Sequence, residues 1–468
     1  MQSPQRVVGA GPGAALVAGN FSEQEDLQRL TSRSSVAKWQ FPLTVEERLR
    51  EAVLSFFCDP LPVECARLQG LSLRQWKPLV HWLDVSGVAL YFLERITELE
   101  LCEQLPAEVL SRLQQNLEDN IARTDAMIAE AAILHREFQE AGLSYVIMKG
   151  FSLWPISVPR LELRSQLDLD FLIASSSAPQ AATILGAKGY HLRAISGKSW
   201  EFKTNPVGVP TIKDLYKAKP HRTVELHLEA PGPLRDSRLA RAEKRLFRDI
   251  CMPVLEPADL FLGQGMHLFK HISSSSFRTS HLIEFRRHVR ARHHDDRFWM
   301  QLRSLAERNP RAPIGLGVTI SLISQVLGDF APKALTSWTV DCLPPNVRLW
   351  VELYGRKLTF YGFPGSKLNL LLQQELKKEG LMTTRSLTQE LLPRRLPHVI
   401  MHRTPGETPL DSIRRYRRQI SFIWLRLRFH VVGGLRYLRE LPRWRKQIAL
   451  MQMANHQEEG FQKAGKPG

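Results

Sequence analysis

Apolar residues recur at helical spacing from about residue 44 to 105, and the stretch LVHWLDVSGVALYFLERI puts Leu79, Leu83, Leu90 and Leu93 on one buried side. A longer helix is predicted over 107–141, with Gly142 as its C-cap. The texture then changes. LSYVIMKG is a short run of β-formers closed by Gly150, and LDLDFLIA is a second. An Ala-rich helix is predicted over 178–188, and YHLRAIS, SWEFKT and RTVELHLE then read as strands separated by Gly, Pro and Asn. After the APGP break at 230–233 the pattern is helical again, through PADLFLGQGMHLFKHI to about Gly328, with no repeat of fixed period. The predicted class is α+β, a small mixed sheet with helices, flanked by helical regions on both sides. The parts are a disordered segment over 1–38, a helical region over 39–142, an α/β core over 143–230, a helical domain over 231–400 and a basic amphipathic segment over 401–468.

The chain has 468 residues, 43% of them hydrophobic, enough for a sizeable core. Its net charge of +17 is uneven: residues 411–450 hold eleven Arg or Lys against two acids, a balance of +9 that leaves +8 for the rest. The basicity belongs mainly to one segment, so it does not argue that the body binds nucleic acid. The five cysteines, Cys58, Cys65, Cys102, Cys251 and Cys342, have neither metal-ligand nor redox spacing and read as reduced thiols. No signal peptide and no uncharged apolar run of about 18 residues is present. The expectation is a soluble, cytoplasmic protein, with peripheral membrane association through the basic segment as a further reading.

Within LDLDFLIA, Asp168 and Asp170 lie two residues apart, so a strand projects them together while Leu167, Leu169 and Phe171 point to the other face. Paired carboxylates repel and are costly to bury unpaired. A solvated strand edge is the bland explanation of an isolated D-x-D. A divalent cation is the functional one, since Mg²⁺ takes one or two carboxylates with phosphate oxygens and water. TVELHLE adds a third carboxylate, Glu225, on another strand. Upstream, MKG leads into a short helix; Gly150 permits close approach of a phosphate, and Lys149 offers a point charge. The order strand–KG–helix–strand–DxD–helix–strands–hEh suits a metal cluster that positions a nucleoside triphosphate.

The run VIMKG…R…LDLDFLI…KGY…VELHLE…PADLFLGQGMHLFKH resembles the uncharacterised nucleotidyltransferase family of the DNA polymerase β-type superfamily. The matching positions are Lys149 and Gly150, Arg164, Asp168 and Asp170, Gly189 and Tyr190, Glu225 and His227, then Pro257, His267 and His271. The resemblance covers roughly residues 45–330. It departs at Leu167, where a small or polar residue is common, at Lys149-Gly150 in place of the wider superfamily's Gly-Ser, and in the long stretch 191–222. It implies a minimal polymerase-β-like core in which an acceptor hydroxyl attacks the α-phosphorus of an NTP and pyrophosphate leaves. On that basis Asp168, Asp170 and Glu225 are the catalytic and metal-binding residues, for Mg²⁺ or Mn²⁺. Glu225 is also a candidate to take the acceptor proton. Lys149, Gly150, Ser152 and Arg164 are the nucleotide-binding residues. For Arg164, a salt bridge to one of the same aspartates is the competing reading. The acceptor, whether small molecule, sugar, protein side chain or nucleic-acid end, is not legible.

His267 and His271, at i and i+4, share a helical face; without a Glu after the first His they are not the zinc-protease signature, and a hydrogen-bonded pair at the cleft is expected. His227 reads as a supporting partner of Glu225, a substrate contact or a packing residue. HHDD at 293–296 reads as a polar loop or helix end. In the basic segment Ile413, Tyr416, Ile420, Ile423 and Leu427 recur at helical spacing among arginines, with FIWLRLRF also fitting a strand. Three uses stay open: packing on the protein or a partner, an anionic membrane surface with Trp424 and Trp444 near the interface, or nucleic acid, the least favoured. The alternative to an enzyme is an inactive nucleotide-binding scaffold recruited by this segment.

Overall fold

The apolar periodicity of residues 45–140 resolves into four α-helices in a computed structural model that describes residues 41–204, 214–218, 222–233, 236–274, 278–361, 366–382, 387–391 and 407–464. The segment 1–38, expected to be disordered, lies outside the described residues. Helix α1 (Val45–Ser55) starts on a capping box in which Thr44 and Glu47 satisfy each other's backbone amides. The stretch around Leu79–Leu93 is two helices, α2 (Leu73–Ser86) and α3 (Ala89–Glu98), because Gly87 takes a left-handed φ of 74° between them; all four predicted leucines are buried. Helix α4 (Ala107–Glu140) runs as expected and closes at Gly142, φ 68°.

The sheet has seven strands, β1 (Tyr145–Ile147), β2 (Asp168–Ala174), β3 (His191–Ser196), β4 (Ser199–Lys203), β5 (Thr223–Glu229), β6 (Glu243–Phe247) and β7 (Ile250–Val254), ordered β3-β4-β5-β2-β1-β7-β6. It is mixed: β2 runs parallel to β5 and β1 to β7, and the other neighbours are antiparallel. The fold class is therefore the expected α+β, but the sheet reaches past residue 230. Strands β6 and β7 were hidden because EKRLF is an exposed, charged edge strand and ICMPV carries a proline, both weak β signals.

Period-two alternation sorts the sheet into two faces. Leu169, Phe171, Ile173, Val224 and Leu226 pack under α4 (through Ile128, Ala131, Leu134 and Phe138) and under α5 (Ala178–Ala187). On the opposite face, Leu172 joins Val146, Leu153 and Leu260 in a smaller cluster, and Asp168 and Asp170 precede it on the same side of β2. Tyr190, in the Gly-Tyr motif, is structural: its hydroxyl donates to Glu130 on α4, and Gly189 supplies the positive φ of the turn.

Beyond the sheet lie α6 (Pro257–Ile272), α7 (Ser280–Ala291), α8 (Asp296–Ala306), α9 (Ala312–Leu327), α10 (Pro345–Phe360), α11 (Asn369–Lys378) and a 56-residue α12 (Pro409–Ala464). Asp295 of the HHDD run caps α8 by accepting from the Phe298 amide, the helix-end role expected of it. FIWLRLRF is helix throughout.

His288 on α7 is fully buried between Ser157 and Gln264, and burial pushes its pKa down to about 3, with Arg292 and Arg245 adding repulsion. The unfolded chain binds a proton there near the ordinary value of about 6.5 while the folded chain does not. Stability therefore falls as pH drops through about 6.5, by roughly 1.4 kcal/mol per pH unit from this group. Urea unfolding across that range is expected to show the slope, and His288→Gln to reduce it.

Candidate active site

Strands β2 and β5 lie side by side in parallel with Asp170 directly opposite Glu225 and Leu172 opposite His227. The three side chains Asp170, Glu225 and His227 meet, each offering a ligand atom within 4.8 Å of the others. His227 Nε2 lies 3.0 Å from Asp170 Oδ1 and 3.5 Å from Glu225 Oε2. Lys149, just past the end of β1, donates from Nζ to Asp170 Oδ1 at 2.7 Å and lies 3.9 Å from Glu225 Oε2. Ser199 of β4 donates to the other oxygen of Glu225. The close approach of two carboxylates is thus offset by an ammonium and an imidazole.

The electrostatics follow from these contacts. Hydrogen bonds from His227 and then Ser199 outweigh desolvation and hold the Glu225 carboxyl well below the usual carboxylate range. Burial pushes His227 down, but its bonds to Asp170 and Glu225 prevail and its pKa is raised. Lys149 behaves likewise: burial opposes its charge, and Asp170 with Glu225 more than restores it. Burial, with Asp170 beside it, raises Asp168.

These residues line a cleft of about 620 Å³ shared with the helical regions. Asp168 lines it too, but outside the tight trio; its place there is taken by His227. His267 and His271 face it from α6 with their Nε2 atoms 3.0 Å apart, the expected hydrogen-bonded pair. Desolvation, with His271 beside it, lowers the His267 pKa, so that imidazole is held uncharged.

Ser152 and Gly150 take structural places, and the salt-bridge reading of Arg164 is corrected. Ser152 is fully buried and donates to the Lys149 carbonyl; it fastens the one-turn 3₁₀ helix Gly150–Leu153 and does not reach the cleft. Gly150 has a φ of +70°, and the space a side chain would need is filled by Gln166, whose Nε2 lies 2.1 Å from an ideal Cβ. The glycine is thus needed to admit the Gln166 side chain. Arg164 does line the cleft, but its ion-pair partner is neither aspartate: Nε donates to Glu284 Oε1 at 3.2 Å. Its loop is pinned by α4, where Asn120 donates to the carbonyls of Glu162 and Arg164 and Arg123 to that of Gln166.

Two further residues at the cleft carried no sequence signal. Arg278 lines the cleft and forms no ion pair among the described residues, and desolvation lowers its pKa. His281, at the start of α7, is buried within 5.5 Å of the His267 ring and 5.8 Å of the His271 ring, centroid to centroid, and its Nδ1 has no hydrogen-bond partner among the described residues. Neither belongs to a short motif; the turn into α7 brings both to the cleft from over 100 residues beyond Asp168.

Oxygen donors on adjacent strands, with an imidazole beside them, could hold a divalent cation such as Mg²⁺ or Mn²⁺. Asp170 and Glu225, with His227, could hold it, while Asp168 lines the same cleft outside that trio. A mixed sheet bearing such a set opposite a cationic helical wall defines a class of site suited to phosphate chemistry. Residues 72–318 match the model of the uncharacterised nucleotidyltransferase family, and the chain belongs to that family, whose name assigns it transfer of a nucleoside monophosphate in general. No curated protein matches the chain.

Proposed function

We propose that the protein transfers a nucleoside monophosphate from an NTP to a hydroxyl acceptor in this cleft. The acceptor oxygen forms a bond to the α-phosphorus, the bond from that phosphorus to the β-phosphate oxygen breaks, pyrophosphate leaves with the electron pair, and the acceptor proton passes to a carboxylate of the cleft. The observation that carries this reading is the register pairing of Asp170 with Glu225 at the cleft floor. A bound divalent cation supplies charge stabilisation for the phosphates. Ser199 and His227 orient the carboxylates, and Lys149 adds positive charge beside them. Arg278, partly desolvated and without an ion pair among the described residues, with Lys270 on the same wall, suits the β- and γ-phosphates.

Convergence of Asp170 and Glu225 supports turnover, a reading that separation of the two carboxylates would have removed. Incubation of the purified protein with each α-labelled NTP, Mg²⁺ or Mn²⁺ and a lysate of its source tests the reading. Label on an acceptor is expected; metal-dependent NTP binding without transfer would favour the scaffold. Arg278→Gln is expected to raise KM for the NTP about 10- to 100-fold, the loss of one charge-assisted contact, with a smaller change in kcat.

A further inference from the structure

Helix α12 presents two apolar faces. One packs on the body: Tyr437 and Trp444 are buried, Gln374 donates to the Tyr437 hydroxyl, and the Trp444 indole donates to Glu375 at 3.3 Å. Trp444 is thus a packing residue, not the interfacial one the sequence suggested. The other face is exposed. Ile413, Ile420, Trp424, Leu427, Leu435 and Leu438 lie between 50% and 66% accessible, on one stripe at helical spacing. From Ile413 to Leu438 the stripe runs about 38 Å at 1.5 Å per residue. Monomeric proteins rarely leave an apolar patch of that extent to water. Exposed arginines, among them Arg417, Arg418 and Arg428, flank it.

The occupant has to match both features. A second copy would bring two segments of +9 against each other, and the rest of the chain, at +8, carries no net opposite charge. No described helix is long and apolar enough to cross a membrane, so a spanning role does not explain the stripe. We propose that this face of α12 lies on an anionic lipid bilayer surface, its aliphatic and aromatic side chains at the headgroup boundary and its arginines on the lipid phosphates. The inference stands independently of the transfer reaction.

Co-sedimentation of the full-length protein with phosphatidylcholine vesicles, with and without phosphatidylglycerol, tests it. Binding is expected to the anionic vesicles, weakened by salt, and to fall at least about 10-fold both in Ile420→Glu/Trp424→Glu/Leu427→Glu and in Arg417→Gln/Arg418→Gln/Arg428→Gln. All six positions are exposed, so the variants are expected to fold, which circular dichroism checks. Absence of vesicle binding, or binding that the apolar substitutions leave unchanged, overturns the proposal. So does a concentration-dependent dimer in analytical ultracentrifugation that the same glutamates dissolve, which assigns the stripe to a second copy.

Discussion

Asp170→Asn and Glu225→Gln are each expected to lower kcat for nucleotidyl transfer by on the order of 10³ or more while the protein stays folded. Both substitutions keep side-chain shape and remove only the charge that a cation and a triphosphate need. The neighbours limit structural damage: Lys149 retains Glu225 at 3.9 Å when Asp170 is neutralised, and Ser199 can still donate to the amide oxygen that replaces its Glu225 acceptor. His227→Gln is expected to cost less, about 10- to 100-fold, because it orients the carboxylates. Circular dichroism and a metal titration of each variant separate lost chemistry from lost fold.

The second large effect is on stability. Glu284 is 2% accessible and accepts from the Tyr91 hydroxyl at 3.0 Å and from Arg164 at 3.2 Å. Glu284→Ala leaves the partly buried Arg164 guanidinium without its ion-pair partner, at an expected cost of up to about 3 kcal/mol. That is a large share of the roughly 5–15 kcal/mol that holds a typical protein folded. A double variant, Arg164→Met/Glu284→Met, is expected to regain most of it, since an apolar pair of similar volume removes both desolvated charges. Denaturant unfolding of the three proteins measures the difference. The double variant also separates Arg164's structural role from any action on phosphate, because the NTP KM can be read in a restored fold.

The site was legible where chemistry and strand period coincide. Asp168, Asp170, Glu225 and His227 alternate with core residues along two apolar runs, and Lys149 closes a third, so a period of two was enough to place their side chains on one face. Their pairing across β2 and β5 was implied by family resemblance rather than by spacing. Local sequence could not tell that Gly150 accommodates Gln166, that Ser152 points inward, or that Arg164 finds Glu284 some 120 residues later, since each depends on a tertiary neighbour. Arg278 and His281 stayed hidden for the same reason. In α12 the helical period was plain, but it served two opposed apolar faces, and only packing shows that Trp444 belongs to one and Trp424 to the other. Strands β6 and β7 failed on propensity, an edge rich in charge beside a strand containing proline.

The most direct measurement is a paired-label reaction with one NTP, labelled in one sample at the α-phosphate and in the other at the γ-phosphate. Nucleotidyl transfer puts the α-label on the acceptor and the γ-label in pyrophosphate, and both signals disappear in Asp170→Asn. Movement of the γ-label onto the acceptor, with the α-label left in a nucleoside diphosphate, would make the cleft a phosphoryl-transfer site and contradict the assignment.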